Sequence, residues 1–155
     1  MTAAADARRQ KRSAARLFAV QALYQMEMSG RSAPSVAREF EDHRFGERFE
    51  DHEMAEADVD HFRGLIDGAV AAQARIDQMT DRALVAAWPL KRIDPTLRAL
   101  FRAAGAELDA GSTPPKVVIN EFVEVARAFF PEGREARFVN AVLDHMAREA
   151  RPEAF

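Results

Sequence analysis

The sequence predicts an all-α protein of about seven helices, and three observations carry that expectation. Apolar residues recur at three- and four-residue spacing through most of the chain, which places them on one face of a helix. Capping residues and proline stand where helices should start, and glycine or proline stands where they should stop. No segment shows the period-two alternation of a half-buried strand; Val117 to Ile119 is β-branched but short, and it runs on into a helical pattern.

Arg8 to Gly30 is the stretch around which the rest is organised. Its first half is basic, with Arg8, Arg9, Lys11, Arg12 and Arg16, and its second half is apolar, with Leu17, Val20, Leu23, Tyr24 and Met28. Wound at about 100° per residue, Arg8, Arg9, Arg12 and Arg16 share one broad stripe. Leu17, Val20, Tyr24 and Met28 share a second stripe that overlaps its edge. Gly30 is a natural stop, because glycine adopts the left-handed conformation just past a helix end. The expected picture is a helix anchored by its C-terminal half that holds out a cationic N-terminal half. Guanidinium groups on a rigid rod suit phosphate. Residues Met1 to Asp6, small and polar, read as a mobile tail.

Ser32 can cap a short helix from Pro34 to about His43 that carries Val36, Ala37 and Phe40. Phe40 to Met54 contains a local echo, FEDHRFGE then FEDHEMAE. Its His43, His52 and carboxylates could ligate a metal, but the spacing fits no metal motif, and a solvated acidic loop or frayed helix is the plainer reading. Asp58 can cap a helix over about Val59 to Met79 that buries Phe62, Leu65, Ile66, Ala69, Val70 and Ile76. Thr80 or Asp81 then opens another with Leu84, Val85 and Trp88, ended by Pro89. Trp88 reads as core rather than as a stacking platform. Asp94-Pro95 is a cap followed by proline at the first helical position. The stripe Leu97, Leu100, Phe101, Ala104 and Leu108 follows, with Arg98 and Arg102 off it. The cleanest amphipathic pattern runs from Pro115 to Phe130, with Asn120, Glu121, Glu124 and Arg127 on its polar half. Pro131 and Gly133 break it. A last helix, about Glu135 to Glu149, buries Phe138, Val139, Val142, Leu143 and Met146.

A chain of 155 residues, nearly half of them apolar, suffices for one domain or two small subdomains sharing a core. There is no cysteine, so disulfides and thiolate metal sites are excluded and a reducing compartment is natural. No run of about 18 apolar residues exists to span a membrane. The basic N-terminus lacks the apolar stretch of a signal peptide, so the expected compartment is the cytoplasm. The net charge of −3 weighs against a general nucleic-acid binder. It leaves room for a local patch, since exposed charges beyond about 10 Å are largely screened at ~0.1 M salt.

Catalysis is not expected. There is no Gly-rich phosphate loop, no nucleophile elbow and no cysteine, and the histidines are scattered. No cofactor or metal is expected either. Carboxylates such as Glu121 and Glu124 read as a solvated helix face. Arg134, Arg137 and Phe138 offer a second basic site at a helix N-terminus, where free N–H groups and the helix dipole attract anions. Phe138 could stack on an unpaired base, or be core, since it is in phase with Val142 and Met146.

Three stretches, ARLFAVQALYQMEMSG preceded by arginines, TPPKVVINEFVEVARAFF and ARFVNAVLD, together resemble the NusB family of transcription antitermination factors. They stand in the family's order, and the similarity spans nearly the whole chain. The resemblance implies an all-helical protein of two small packed bundles, here residues 7–78 and 79–150 of a single unit spanning 1–155. It implies binding of single-stranded RNA at the boxA element of ribosomal RNA leader transcripts. It also implies pairing with a small-subunit ribosomal protein, NusE, and read-through by RNA polymerase in an antitermination complex. Self-association, as a homodimer, is implied for some members. Carried over by position, the RNA surface falls on Arg12 and Arg16 with Lys11, Arg8 and Arg9 nearby, on Tyr24, on Arg102, and on Arg134, Arg137 and Phe138. Four positions depart from the family pattern: Ser13 and Ala14 interrupt the arginines, Ala141 replaces a glycine, and Ala106 replaces a tyrosine. The same domain resembles the N-terminal part of some ribosomal RNA cytosine methyltransferases, but the chain has neither a βαβ segment nor the catalytic cysteine. A protein–protein adaptor of a ribosomal RNA processing complex, without RNA specificity of its own, is the alternative.

Overall fold

A computed structural model describes residues 2–45, 48–49, 52–53, 56–84 and 92–155. Among these residues the chain forms α1 (Ala3–Ser29), α2 (Ala33–Glu39), α3 (Val59–Ala71), α4 (Gln73–Ala83), α5 (Pro95–Ala110), α6 (Pro115–Phe129) and α7 (Arg134–Ala150). A π-helical turn, Phe40–Arg44, prolongs α2, and a 3-10 turn, Pro152–Ala154, follows α7. Arg48–Phe49 pairs antiparallel with His52–Glu53 over two residues on each side, so the fold is all-α as the periodicity predicts. Val85, Trp88, Pro89 and Met54, and the His52 side chain, lie outside the described residues.

Helix α1 begins earlier than expected. Thr2 Oγ1 accepts the Ala5 N–H at 3.1 Å, and Ala3 to Ala5 are strong helix formers, so the segment read as a mobile tail is helical from Ala3. Gly30, at φ 72°, closes the helix by donating to the Met26 carbonyl at 2.9 Å. Between these ends every residue from Ala14 to Val20 is buried, although such a run turns through the whole helix circumference. A helix buried all round lies inside its protein. Accordingly α2, α3, α5 and α6 all pack on α1.

Helix α5 is the second organising element and touches α1, α3, α4, α6 and α7. Asp94 Oδ1 accepts the Thr96 N–H at 2.7 Å and Pro95 fills the first turn, as the sequence predicts. Leu97, Leu100, Phe101, Ala104 and Leu108 are all buried on it. The junction expected at 78/79 lies inside α4, and one continuous core runs from Ala14 to Ala147. The rings of Phe18, Phe40, Phe45 and Phe62 form its aromatic end, with centroids 5.0 to 6.2 Å apart.

Three expectations between Val59 and Leu84 are corrected. The single helix to Met79 is two helices, because Ala72 leaves the helical region at φ −114°, ψ 20°. No glycine or proline marks that break, and Val70, two residues before it, is exposed rather than core. Thr80 does not open a helix. It is buried inside α4, and its hydroxyl donates to the Ile76 carbonyl at 2.8 Å, the way a threonine satisfies itself within a helix.

Candidate nucleic-acid interface

The N-terminal third of α1 projects beyond the core. Arg8, Arg9 and Lys11 are exposed and Arg12 is half-buried. Helical rise of about 1.5 Å per residue puts the four within roughly 6 Å along the axis. Arg9 has a partner, Asp6, at 3.4 Å in an exposed pair of the kind that contributes little. Among the described residues, Arg8, Lys11 and Arg12 have no carboxylate partner. The base of this rod is tied down: the Asp58 N–H donates to the Lys11 carbonyl at 3.0 Å, while the Asp58 side chain caps α3 through the His61 N–H at 3.0 Å.

Arg16 does not belong to this exposed row, which corrects its expected place on the surface. It shares the stripe of Arg9 and Arg12 around the helix but sits lower along it, inside the segment buried all round, and is 2% exposed. Its Nε and Nη2 donate to the two carboxylate oxygens of Glu107 on α5, at 2.9 and 2.7 Å. Its Nη1 lies 3.1 Å from Glu121 Oε1 on α6. The Ser13 hydroxyl is 3.1 Å from both oxygens of the same Glu121. His61 Nε2, on α3, stands 3.3 Å from Glu107 Oε2 without the alignment of a directed hydrogen bond. Burial alone would raise the Glu107 carboxyl. The Arg16 hydrogen bonds, with His61, outweigh that and bring it down to about 2.

The second cationic group lies across α6. Arg134 and Arg137 are exposed at the start of α7, where Gly133 (φ 85°) leaves the first N–H groups without a side-chain cap. Arg137, Asn120, Asn140 and Arg127 line an open polar groove of ≈ 450 Å³ between α6 and α7. Helix α6 therefore bridges the two groups. Its Glu121 meets Ser13 and Arg16, and its Asn120, one residue earlier, lines the groove. The carboxylates between them are already paired, Glu121 with Arg16 and Glu124 with Arg127.

The other sequence-derived residues lie elsewhere. Phe138 is half-buried, its ring edge-on to Phe101 of α5 at 6.2 Å and 62°, which favours the core reading over a free stacking platform. Arg102, expected at the RNA surface, is instead clamped. Its Nε and Nη2 donate to Asp77 of α4 at 3.0 and 2.9 Å, and Nη1 stands 3.9 Å from Glu27 of α1. Tyr24, 39% exposed, is 12 residues beyond Arg12, about 18 Å along the helix. It lines a separate groove of ≈ 440 Å³ with Val20, Met28, Phe40 and Phe129. Met28, read as part of the apolar stripe, is exposed there.

Sequence reasoning missed the partners: Ser13, Glu107, Asp77, and Glu121, which it took for a solvated residue. One signal was readable. Glu107 falls in phase with Leu100, Ala104 and Leu108 on the apolar stripe of α5, where a carboxylate needs a buried cation.

The model of the NusB family matches residues 13–148. A transcription antitermination protein NusB of Maricaulis maris is 49% identical over 145 residues, covering 93% of this chain and 90% of the relative. One of Caulobacter vibrioides is 51% identical over 143 residues, covering 92% and 95%. The chain belongs to the NusB family. A solved NusB structure from T. maritima superposes with a TM-score of 0.74 at 28% identity, covering 93% of this chain and 96% of that one. A crystal structure of the antitermination factors NusB and NusE in complex with double-stranded RNA shares the fold at a TM-score of 0.71 and 22% identity, covering 90% and 97%.

Within the family pattern, the departures now have a structural account. Ser13 and Ala14 interrupt the arginines where α1 enters the core: Ser13 meets Glu121 and Ala14 is buried. Ala141 is exposed, so no close packing depends on it. Ala106 is buried against α3, where a Cβ on Gly68 would stand 3.3 Å from the Ala106 Cβ.

Proposed function

We propose that this protein is a non-catalytic antitermination factor of the cytoplasm. It binds single-stranded boxA RNA of ribosomal RNA leaders together with NusE, and so helps RNA polymerase read through terminators. The observation that carries this reading is the row Arg8, Arg9, Lys11 and Arg12. A helix locked into the core at residues 14–20 holds these cations out in solvent, and three of them have no carboxylate partner among the described residues. Such a row fits a phosphate backbone at a fixed pitch. Arg134 and Arg137, across α6, lengthen the path a strand can follow. Membership of the NusB family supports the same reading, and NusE and RNA are bound by a protein of the same fold.

The test is binding of a boxA-containing single strand, a scrambled strand and a duplex, each with and without NusE, over a series of salt concentrations. Preference for the boxA strand with NusE present is expected. Arg8→Ala and Lys11→Ala should each flatten the plot of log K against log salt by about 0.7, one released counterion per lost single-strand phosphate contact. Equal binding of the scrambled strand with NusE present would sink the proposal.

A further inference from the structure

We propose that Arg16 is a positioning residue for the RNA surface. It never touches the transcript; it fixes the angle at which the cationic rod leaves the core and its distance from the α6–α7 groove. This rests on the RNA-binding reading above.

The geometry excludes phosphate from the Arg16 guanidinium. The side chain is 3% exposed, and each of its three nitrogens already faces a carboxylate oxygen, Nε and Nη2 those of Glu107, Nη1 that of Glu121. The place of this cluster gives it a role. It lies one helical turn below Arg12, where α1 passes from the all-round buried segment to solvent. Its members come from each helix that flanks the exit: Glu107 from α5, Glu121 from α6, His61 from α3. Ser13 adds a second tie to Glu121, and the Asp58 N–H holds the Lys11 carbonyl on the α3 side. Glu121 is also adjacent to Asn120, which lines the groove with Arg137. The same ion cluster thus sets the spacing between the two cationic groups. While Glu107 is charged, a planar guanidinium is needed opposite it, because it bridges the two carboxylates in fixed directions and an ammonium does not.

The test compares Arg16→Met, Arg16→Lys and the double variant Arg16→Met/Glu107→Leu with the parent protein. The probe is the boxA single strand with NusE, at temperatures where circular dichroism shows each variant folded. The double variant keeps the net charge and replaces the buried pair by apolar groups of similar volume, a change buried pairs often tolerate. Positioning predicts that Arg16→Met weakens binding roughly tenfold at ~0.15 M salt with a shallower salt slope, the equivalent of about two lost phosphate contacts. It predicts that the double variant recovers both affinity and slope, and that Arg16→Lys weakens binding although its charge is kept. A direct phosphate contact predicts the reverse: no recovery in the double variant, a slope about 0.7 shallower in both Met variants, and near-parent binding by Arg16→Lys. A purely structural role predicts parent affinity in every folded variant. Either of the last two patterns overturns the proposal. If Arg16→Met does not fold, Arg16→Lys and the double variant decide it. Failure of the parent protein to prefer boxA would strike the functional reading instead.

Discussion

Two glycines inside helices should respond to the same substitution with opposite signs. Gly105 lies in α5 where α4 crosses it. A Cβ built there would meet Ile76 Cγ2 closer than two carbons can approach, with Ile76 Cβ and Cγ1 both at 3.4 Å. Ile76 is β-branched and 1% exposed, so it has no free rotamer into which to withdraw. Gly105→Ala gains about 1 kcal/mol of helix propensity but forces overpacking that costs about 1–3 kcal/mol. Because Ile76 cannot withdraw, the cost falls at about 2–3 kcal/mol, so the expected net loss is about 1–2 kcal/mol, a fall in Tm of roughly 2–8 °C for a domain of this size. Gly64, in α3, is exposed and has nothing within 4 Å of its would-be Cβ. Gly64→Ala should therefore stabilise by about 0.5–1 kcal/mol. Urea melts of both variants, with m-values to confirm comparable unfolding, are the assay. A Gly105→Ala protein as stable as the parent, or more so, would refute the close α4–α5 approach. Ile76→Ala in the Gly105→Ala background should cost less than it does alone, since it removes the clashing methyl.

Three further outcomes follow, two from ion pairs and one from the aromatic core. The Glu107 carboxyl is lowered from 4.5 to about 2, so its contribution, about 3 kcal/mol, is present above pH ~4.5 and is lost as pH falls toward 2. Denaturant midpoints of the parent and Glu107→Gln between pH 5 and 2 should show a flatter profile for the variant, and superimposable slopes would contradict this. Arg102→Ala leaves Asp77 half-buried without its bidentate partner and should cost about 1.5–3 kcal/mol of stability. It should leave the salt slope of RNA binding unchanged, and a flatter slope would return Arg102 to the RNA surface. Phe101→Ala removes a fully buried ring and the edge contact of Phe138, and should destabilise by about 3–5 kcal/mol in a thermal melt.

Periodicity alone was enough for the helices whose large apolar residues share one stripe. The α5 stripe from Leu97 to Leu108 is buried as predicted, and α6 and α7 keep their expected faces. The caps at Asp58 and Asp94 and the stop at Gly30 were readable for the same reason, since each is a local hydrogen-bonding requirement. Periodicity failed for α1. It reports which residues share an angle around a helix, and Arg9, Arg12 and Arg16 do. It does not report where along its length a helix enters the core.

The amino-acid order by itself therefore determined an all-α chain, most of its helix limits and a cationic N-terminal helix, because backbone hydrogen bonding and side-chain period act between near neighbours. Only the tertiary structure decided which cations are free. Arg16 is held by Glu107, 91 residues away, and Arg102 by Asp77, 25 residues away. A buried charge must find its counter-charge wherever the fold brings one, and no local pattern encodes that distance.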